Sequence, residues 1–136
     1  QIGRDGDGEA ILRTAIAASP RSGAAHHALG LTLTRLRRSD DALAKFRKAA
    51  ELEPDRSRYA YVYGIALHSG GSRDEAMAVL RETLKSHPND RDILSALLSF
   101  SRMAGDAKAA LGYAERLAAI MPGDPNLAKL IEELRR

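Results

Sequence analysis

Pro20, Pro54, Pro88 and Pro122 recur at a fixed interval of 34 residues. An interval of that size, held three times in succession, is the mark of a stacked repeat, in which one supersecondary unit recurs and buries its apolar face on its neighbours. Pro has no backbone N–H to continue a helix, so each one marks the joint between units. Such an array offers an extended surface rather than a catalytic cleft, so its function is to be sought in that surface.

With the prolines as register, the chain divides into units 23–56, 57–90 and 91–124. The first reads His26-x-x-Leu29-Gly30-x-x-Leu33, then Ala42-x-x-x-Phe46 and Pro54. The second reads Ala60-x-x-Tyr63-Gly64-x-x-Leu67, then Ala76-x-x-x-Leu80 and Pro88. The third reads Leu94-x-x-Leu97-Leu98-x-x-Ser101, then Ala110-x-x-x-Ala114 and Pro122. Each unit holds two runs with apolar residues at helical spacing. Between them stand Arg38-Ser39-Asp40, Gly70-Gly71-Ser72 and Gly105-Asp106, where a helix pair is expected to turn. Gly adopts the left-handed conformation of a helix end cheaply. Ser72-x-x-Glu75 has the form of a capping box, and Asp124-Pro125 that of an N-cap followed by Pro at the first helical position. Arg58 to Tyr63 alternates like a strand, but the register makes it the start of a first helix, with Tyr59 and Tyr63 on the packed face. Gly30 and Gly64 fall inside helices, where Gly costs about 1 kcal/mol relative to Ala, so a close helix–helix approach is expected there. In the third unit Leu98 replaces Gly, while Gly112 and Ala114 lie near the position of Phe46, an exchange that would conserve volume.

This pattern resembles the tetratricopeptide repeat, whose signature is W-x2-L-G-x2-Y, A-x3-F, P over 34 residues. The first two units match well and the third has lost its Gly. The resemblance implies an all-α fold, a right-handed solenoid of antiparallel helix pairs over residues 1–136, with a leading half-repeat at 8–22 and a capping helix at 125–136. It also implies that the first helices of successive units line a concave groove for a peptide or an amphipathic helix. Carried over position by position, the groove residues are His27, Leu31, Thr34 and Arg35 in unit one. Unit two supplies Tyr61, Ile65, His68 and Ser69, and unit three Asp92, Ser95, Ser99, Arg102 and Met103. The subfamily that binds acidic chaperone tails uses a Lys, Asn and Arg clamp. Here those positions are His27, Leu31, Val62, Asp92 and Ala96, so that ligand is not expected. Residues 59–122 also look similar to repeat tails of bacterial multi-haem cytochrome-like proteins. The function implied is a protein–protein interaction scaffold or adaptor. The alternative is a spacer or self-association module of a larger enzyme or cytochrome-like protein.

The remaining signals are mostly exclusions. The chain has no Cys, which removes disulfides, thiolate metal sites and thiol nucleophiles. Net charge is +3 and the excess centres on Arg35, Arg37 and Arg38, which read as a solvated helix end. Nucleic acid would call for a longer basic stripe with aromatic platforms. Asp5-Gly6-Asp7-Gly8-Glu9 lacks the Gly and Glu that a calcium loop needs at its sixth and twelfth positions, and reads as a flexible acidic turn before a helix. His26 and His27 are adjacent, hence about 100° apart on a helix and unable to clasp one metal together. His26 takes the place of a packing aromatic. No catalytic motif, metal site or cofactor is expected, and no transmembrane run occurs. The chain begins with Gln1 and is expected to be a piece of a larger bacterial protein, of cytoplasm or periplasm. Ile11, Leu12 and Ile16 are the expected exposed flank of the first helix, through which weak homo-oligomers could form.

Overall fold

The computed structural model describes residues 2–136, with the side chains from Gly3 onward. These residues form eight helices: α1 (Ile2–Ala18), α2 (Gly23–Arg35), α3 (Ser39–Leu52), α4 (Ser57–Ser69), α5 (Arg73–Ser86), α6 (Arg91–Met103), α7 (Ala107–Ile120) and α8 (Pro125–Arg135). The fold is all-α, with helix pairs turning at 36–38, 70–72 and 104–106; the last two turns fall at the expected punctuators, whereas the first comes earlier than Arg38-Ser39-Asp40, because Ser39 and Asp40 already belong to α3. The strand-like run Arg58–Tyr63 lies in α4.

The helix ends repeat with the same period as the prolines. Ser22, Asp90 and Asp124 each accept a hydrogen bond from the first turn of the helix they open, at Ala25, Ile93 and Asn126 respectively. Such a cap satisfies N–H groups that the helix itself cannot. Arg56 takes the equivalent place before α4 and makes no side-chain cap. At the other turn, Arg37, Gly71 and Gly105 all have positive φ, at 60°, 91° and 76°. The N–H of the next residue reaches back in each case to Leu33, Leu67 or Ser101 at 2.9 Å, the bond of a Schellman ending. Gly takes that conformation without penalty. Arg37 takes it at a cost of about 1–2 kcal/mol.

The chain divides into two compact units, 1–76 and 77–136. In the first, α2 packs on α1 and α3, and α3 packs on α4. Leu29, Leu33, Ala42, Phe46, Ala49, Tyr63 and Leu67 form its core. A Cβ placed on Gly30 would sit 2.5 Å from the Phe46 ring, which is the close approach expected of that glycine. Arg47 ties α3 to α4, donating from Nε to the Tyr63 hydroxyl at 2.8 Å and lying 3.6 Å from Glu75. In the second unit α7 packs on α6 and α8. Ile93, Leu94, Leu97, Leu98, Ala110, Ala114 and Leu117 are buried. Leu98 and Ala114 thus fill positions equivalent to Gly30 and Phe46, large where the other is small. Gly112 is exposed and takes no part in that exchange. The α8 helix turns Leu127, Leu130, Ile131 and Leu134 inward, each half-buried, and Arg135 pairs with Glu115 at 3.1 Å.

The N-terminal segment and its contacts correct three expectations. Residues Asp5 to Glu9 are helical rather than a flexible turn, because α1 already starts at Ile2. Its acidic residues meet the basic end of α2. Arg35 donates to Asp5 at 3.1 Å, and Arg38 reaches both Glu9 oxygens at 2.8 and 2.9 Å while also holding Asp41 at 3.0 Å. The arginine cluster is therefore a clasp, not a solvated helix end. The bonds from Arg13 and Arg38 hold the Glu9 carboxyl below its ordinary pKa. The apolar flank also differs. Leu12 and Ile16 are half-buried, on the same side as Asp5 and Glu9, and only Ile11 stands out, 69% exposed.

The two glycines Gly30 and Gly112 separate by what surrounds them. Gly30→Ala is expected to destabilise by about 1–3 kcal/mol through overpacking against the buried Phe46 ring. Gly112→Ala, with nothing within 4 Å of the added carbon, should stabilise by about 0.5–1 kcal/mol through helix propensity alone. Urea midpoints of the two variants check this. A neutral Gly30→Ala would mean that α2 and α3 are not held at that distance.

Candidate functional site

The first unit contains an open pocket of about 320 Å³. One wall is the C-terminal half of α2, with Leu31 and Thr34. A second is α4, with Val62, Ile65, Ala66 and Ser69, and its C-cap Gly70, and the floor is the start of α3, from Ser39 to Phe46. Helical spacing puts Leu31 and Thr34 on one strip of α2, and Ile65 and Ser69 on one strip of α4. The pocket therefore gathers four of the residues expected in a groove. Leu31 is 40% exposed at its side, an apolar group that the fold itself does not cover. Thr34 donates its hydroxyl to Gly30 O at 2.9 Å, so it presents its methyl group more than a free donor.

Other expected groove residues lie elsewhere. Arg35 is turned to α1, bonded to Asp5 and to the Thr32 hydroxyl at 3.1 Å each. His27 is half-buried, with its ring 4.7 Å from Tyr59 and 5.6 Å from Phe46 between centroids. It packs one helix pair against the next. Tyr61 lies under the Arg58 guanidinium, 5.4 Å from ring to cation. Tyr61 and His68 do not line the pocket. Asp92, Ser95, Ser99, Arg102 and Met103 form a separate exposed face on α6, with Met103 68% exposed. The α3 floor, Asp40 and Leu43 above all, does not follow from the sequence. A register that follows only first helices has no place for it.

His26 is 5% exposed and its Nε2 donates to Pro20 O at 2.9 Å, which fits the packing role expected of it. Among the described residues no group of acidic or His side chains could hold a metal ion, and no helix is long and apolar enough to cross a membrane.

A sequence profile of the tetratricopeptide repeat matches residues 3–56, 27–91 and 70–125. The chain belongs to the tetratricopeptide-repeat family. It is thereby a protein–protein interaction module, as repeats of this kind are. Among solved structures it is similar to MamA, with a TM-score of 0.81 at 18% identity, covering 97% of this chain and 77% of that one. It is also similar to YrrB, described as a tetratricopeptide-repeat protein with an unusual peptide-binding site, with a TM-score of 0.76 at 21% identity over 96% of this chain and 67% of that one. A MamA mutant shares 25% identity over 81% of this chain, with a TM-score of 0.66, and there the match spans 64% of the other chain, less than two thirds. No curated protein sequence matches the chain.

The tetratricopeptide frame gives His27 a measurable signature. Burial lowers its pKa from the ordinary value, and the Arg58 charge lowers it further. Its Nδ1 is buried without a hydrogen-bond partner, so protonation would strand an N–H as well as a charge. Above about pH 6.5 both the folded and the unfolded chain carry a neutral ring. Below it the unfolded chain takes a proton that the folded chain resists, so stability is lost as pH falls towards the depressed pKa. His27→Phe should keep the ring packing and remove this part of the pH dependence. Urea midpoints between pH 8 and 5 check it, and parallel curves for the two proteins would contradict it.

Proposed function

We propose that this repeat module binds a protein segment, an extended peptide or one face of an amphipathic helix, by seating an apolar side chain of that segment between α2 and α4. The observation that carries this reading is the pocket beside Leu31, Val62 and Ile65, apolar, about 320 Å³ in volume and left open by the fold. Sites of this size take one or a few side chains, with polar groups at the edge fixing direction. Asp40 and Ser69 are such edge groups. The peptide-binding site of YrrB, a structural relative, lends support by analogy of fold only. The exposed α6 face, with Ser95, Ser99, Arg102 and Met103, is a second candidate contact surface. On this reading the chain is an adaptor rather than an enzyme.

Selection of peptides from a random library on the intact chain tests the proposal. Recovered peptides should share an apolar anchor residue. Leu31→Asp and Ile65→Asp should weaken them about tenfold or more, a loss of about 1.4 kcal/mol. Ser99→Arg reads the contribution of α6 separately. Selected peptides that bind all three variants like the parent chain would show that the binding surface lies elsewhere.

A further inference from the structure

A second cleft, of about 300 Å³, lies in the second unit between the end of α5 and the middle of α7. It is lined by Arg81, Leu84, Lys85, Pro88, Tyr113 and Arg116. Three of the six are cations, yet each arginine passes over the carboxylate next to it in sequence. Glu82 pairs with Lys85 at 3.0 Å, and Glu115 with Arg135 at 3.1 Å. Arg81 instead donates from Nε to the Tyr113 hydroxyl, a long 3.4 Å contact, and Arg116 from Nη2 to Pro88 O at 3.1 Å. Both guanidinium groups are thus anchored on neutral oxygens, and their charge is not spent on Glu82 or Glu115. A guanidinium carries five N–H donors, so each keeps several for a ligand. Leu84 is buried and Pro88 exposed, so the proline ring is the apolar surface beside the charges.

The geometry points to this cleft as a binding site for an acidic protein segment, one that presents carboxylates with an apolar side chain beside them. The fork of each guanidinium matches the two oxygens of a carboxylate, so the two arginines of the cleft suit a segment that presents two such groups. The chain already uses the same chemistry elsewhere: Arg35 and Arg38 hold Asp5 and Glu9, four residues apart on one helix face. The net charge of the cleft, counting Glu82 against Lys85, comes from Arg81 and Arg116 alone, and one carboxylate for each guanidinium neutralises it. The site is formed by second helices and is independent of the pocket at Leu31.

Fluorescence anisotropy on the intact chain tests it. The probe is a labelled peptide of about eight residues with alternating Glu and Leu. A Gln-for-Glu peptide and a phosphoserine peptide of equal length serve as comparisons. The acidic peptide should bind, more weakly as salt rises, and the Gln peptide should not. Arg81→Gln with Arg116→Gln should cost about tenfold in affinity, while Lys48→Gln with Lys129→Gln, which removes the same charge elsewhere, should not. Lys85→Glu is the single-site check should the double variant lose its cooperative melt. Failure of the acidic peptide to bind, equal loss in the Lys48 and Lys129 variant, or binding of the phosphoserine peptide alone would overturn the assignment.

Discussion

The closeness of α2 to α3 is the constraint on which the first unit depends. With no Cβ at Gly30, the Phe46 ring lies against the α2 backbone and fills the space between the two helices. Ala42 is buried on the same pair. Small residues at the crossing let the backbones approach, and one large ring then supplies contacts that many small side chains could not. The ring also forms one side of the His27 stack and part of the pocket floor. Packing, inter-repeat contact and candidate binding surface all pass through Phe46.

The second unit reaches a similar end with the sizes reversed. Leu98 is buried on α6 and Ala114 on α7, so the bulk comes from the first helix and the clearance from the second. Interiors are packed close to crystal density, and a pair of helices accepts either arrangement if the summed volume holds. This explains how the repeat signature can decay at its Gly and Phe positions while Ala110 and Pro122 persist. The small residue at the start of the second helix and the turn-forming proline answer to backbone geometry, which no neighbouring side chain can replace.

How much of this is legible in the sequence follows the same division. The proline interval, Ala42, Ala76 and Ala110 disclose the all-α architecture and its turns, and overrule the strand-like alternation of Tyr59 to Tyr63, because they report constraints local to one unit. The start of α1 is not legible. Gly3, Gly6 and Gly8 argue against a helix, and what favours one, Arg35 and Arg38, lies about thirty residues away along the chain. The pocket is half legible. Leu31, Thr34, Ile65 and Ser69 follow from register, whereas its α3 floor and the withdrawal of His27 into an aromatic stack depend on how one helix pair leans on another.

The turn at Arg37 and Arg38 carries a consequence for the idea of interchangeable repeats. In the repeat 57–90 the positions of Arg35, Arg37 and Arg38 are held by Ser69, Gly71 and Ser72, the better choices for a helix ending and a helix start. The repeat 23–56 forgoes that local comfort, keeps an arginine in a left-handed conformation, and gains the cations that grip α1. A duplicate of the repeat 57–90 grafted in its place would be the more relaxed module and the poorer neighbour. Repeats in such an array are interchangeable in shape but addressed by charge, and Arg35 and Arg38 are the address that α1 reads.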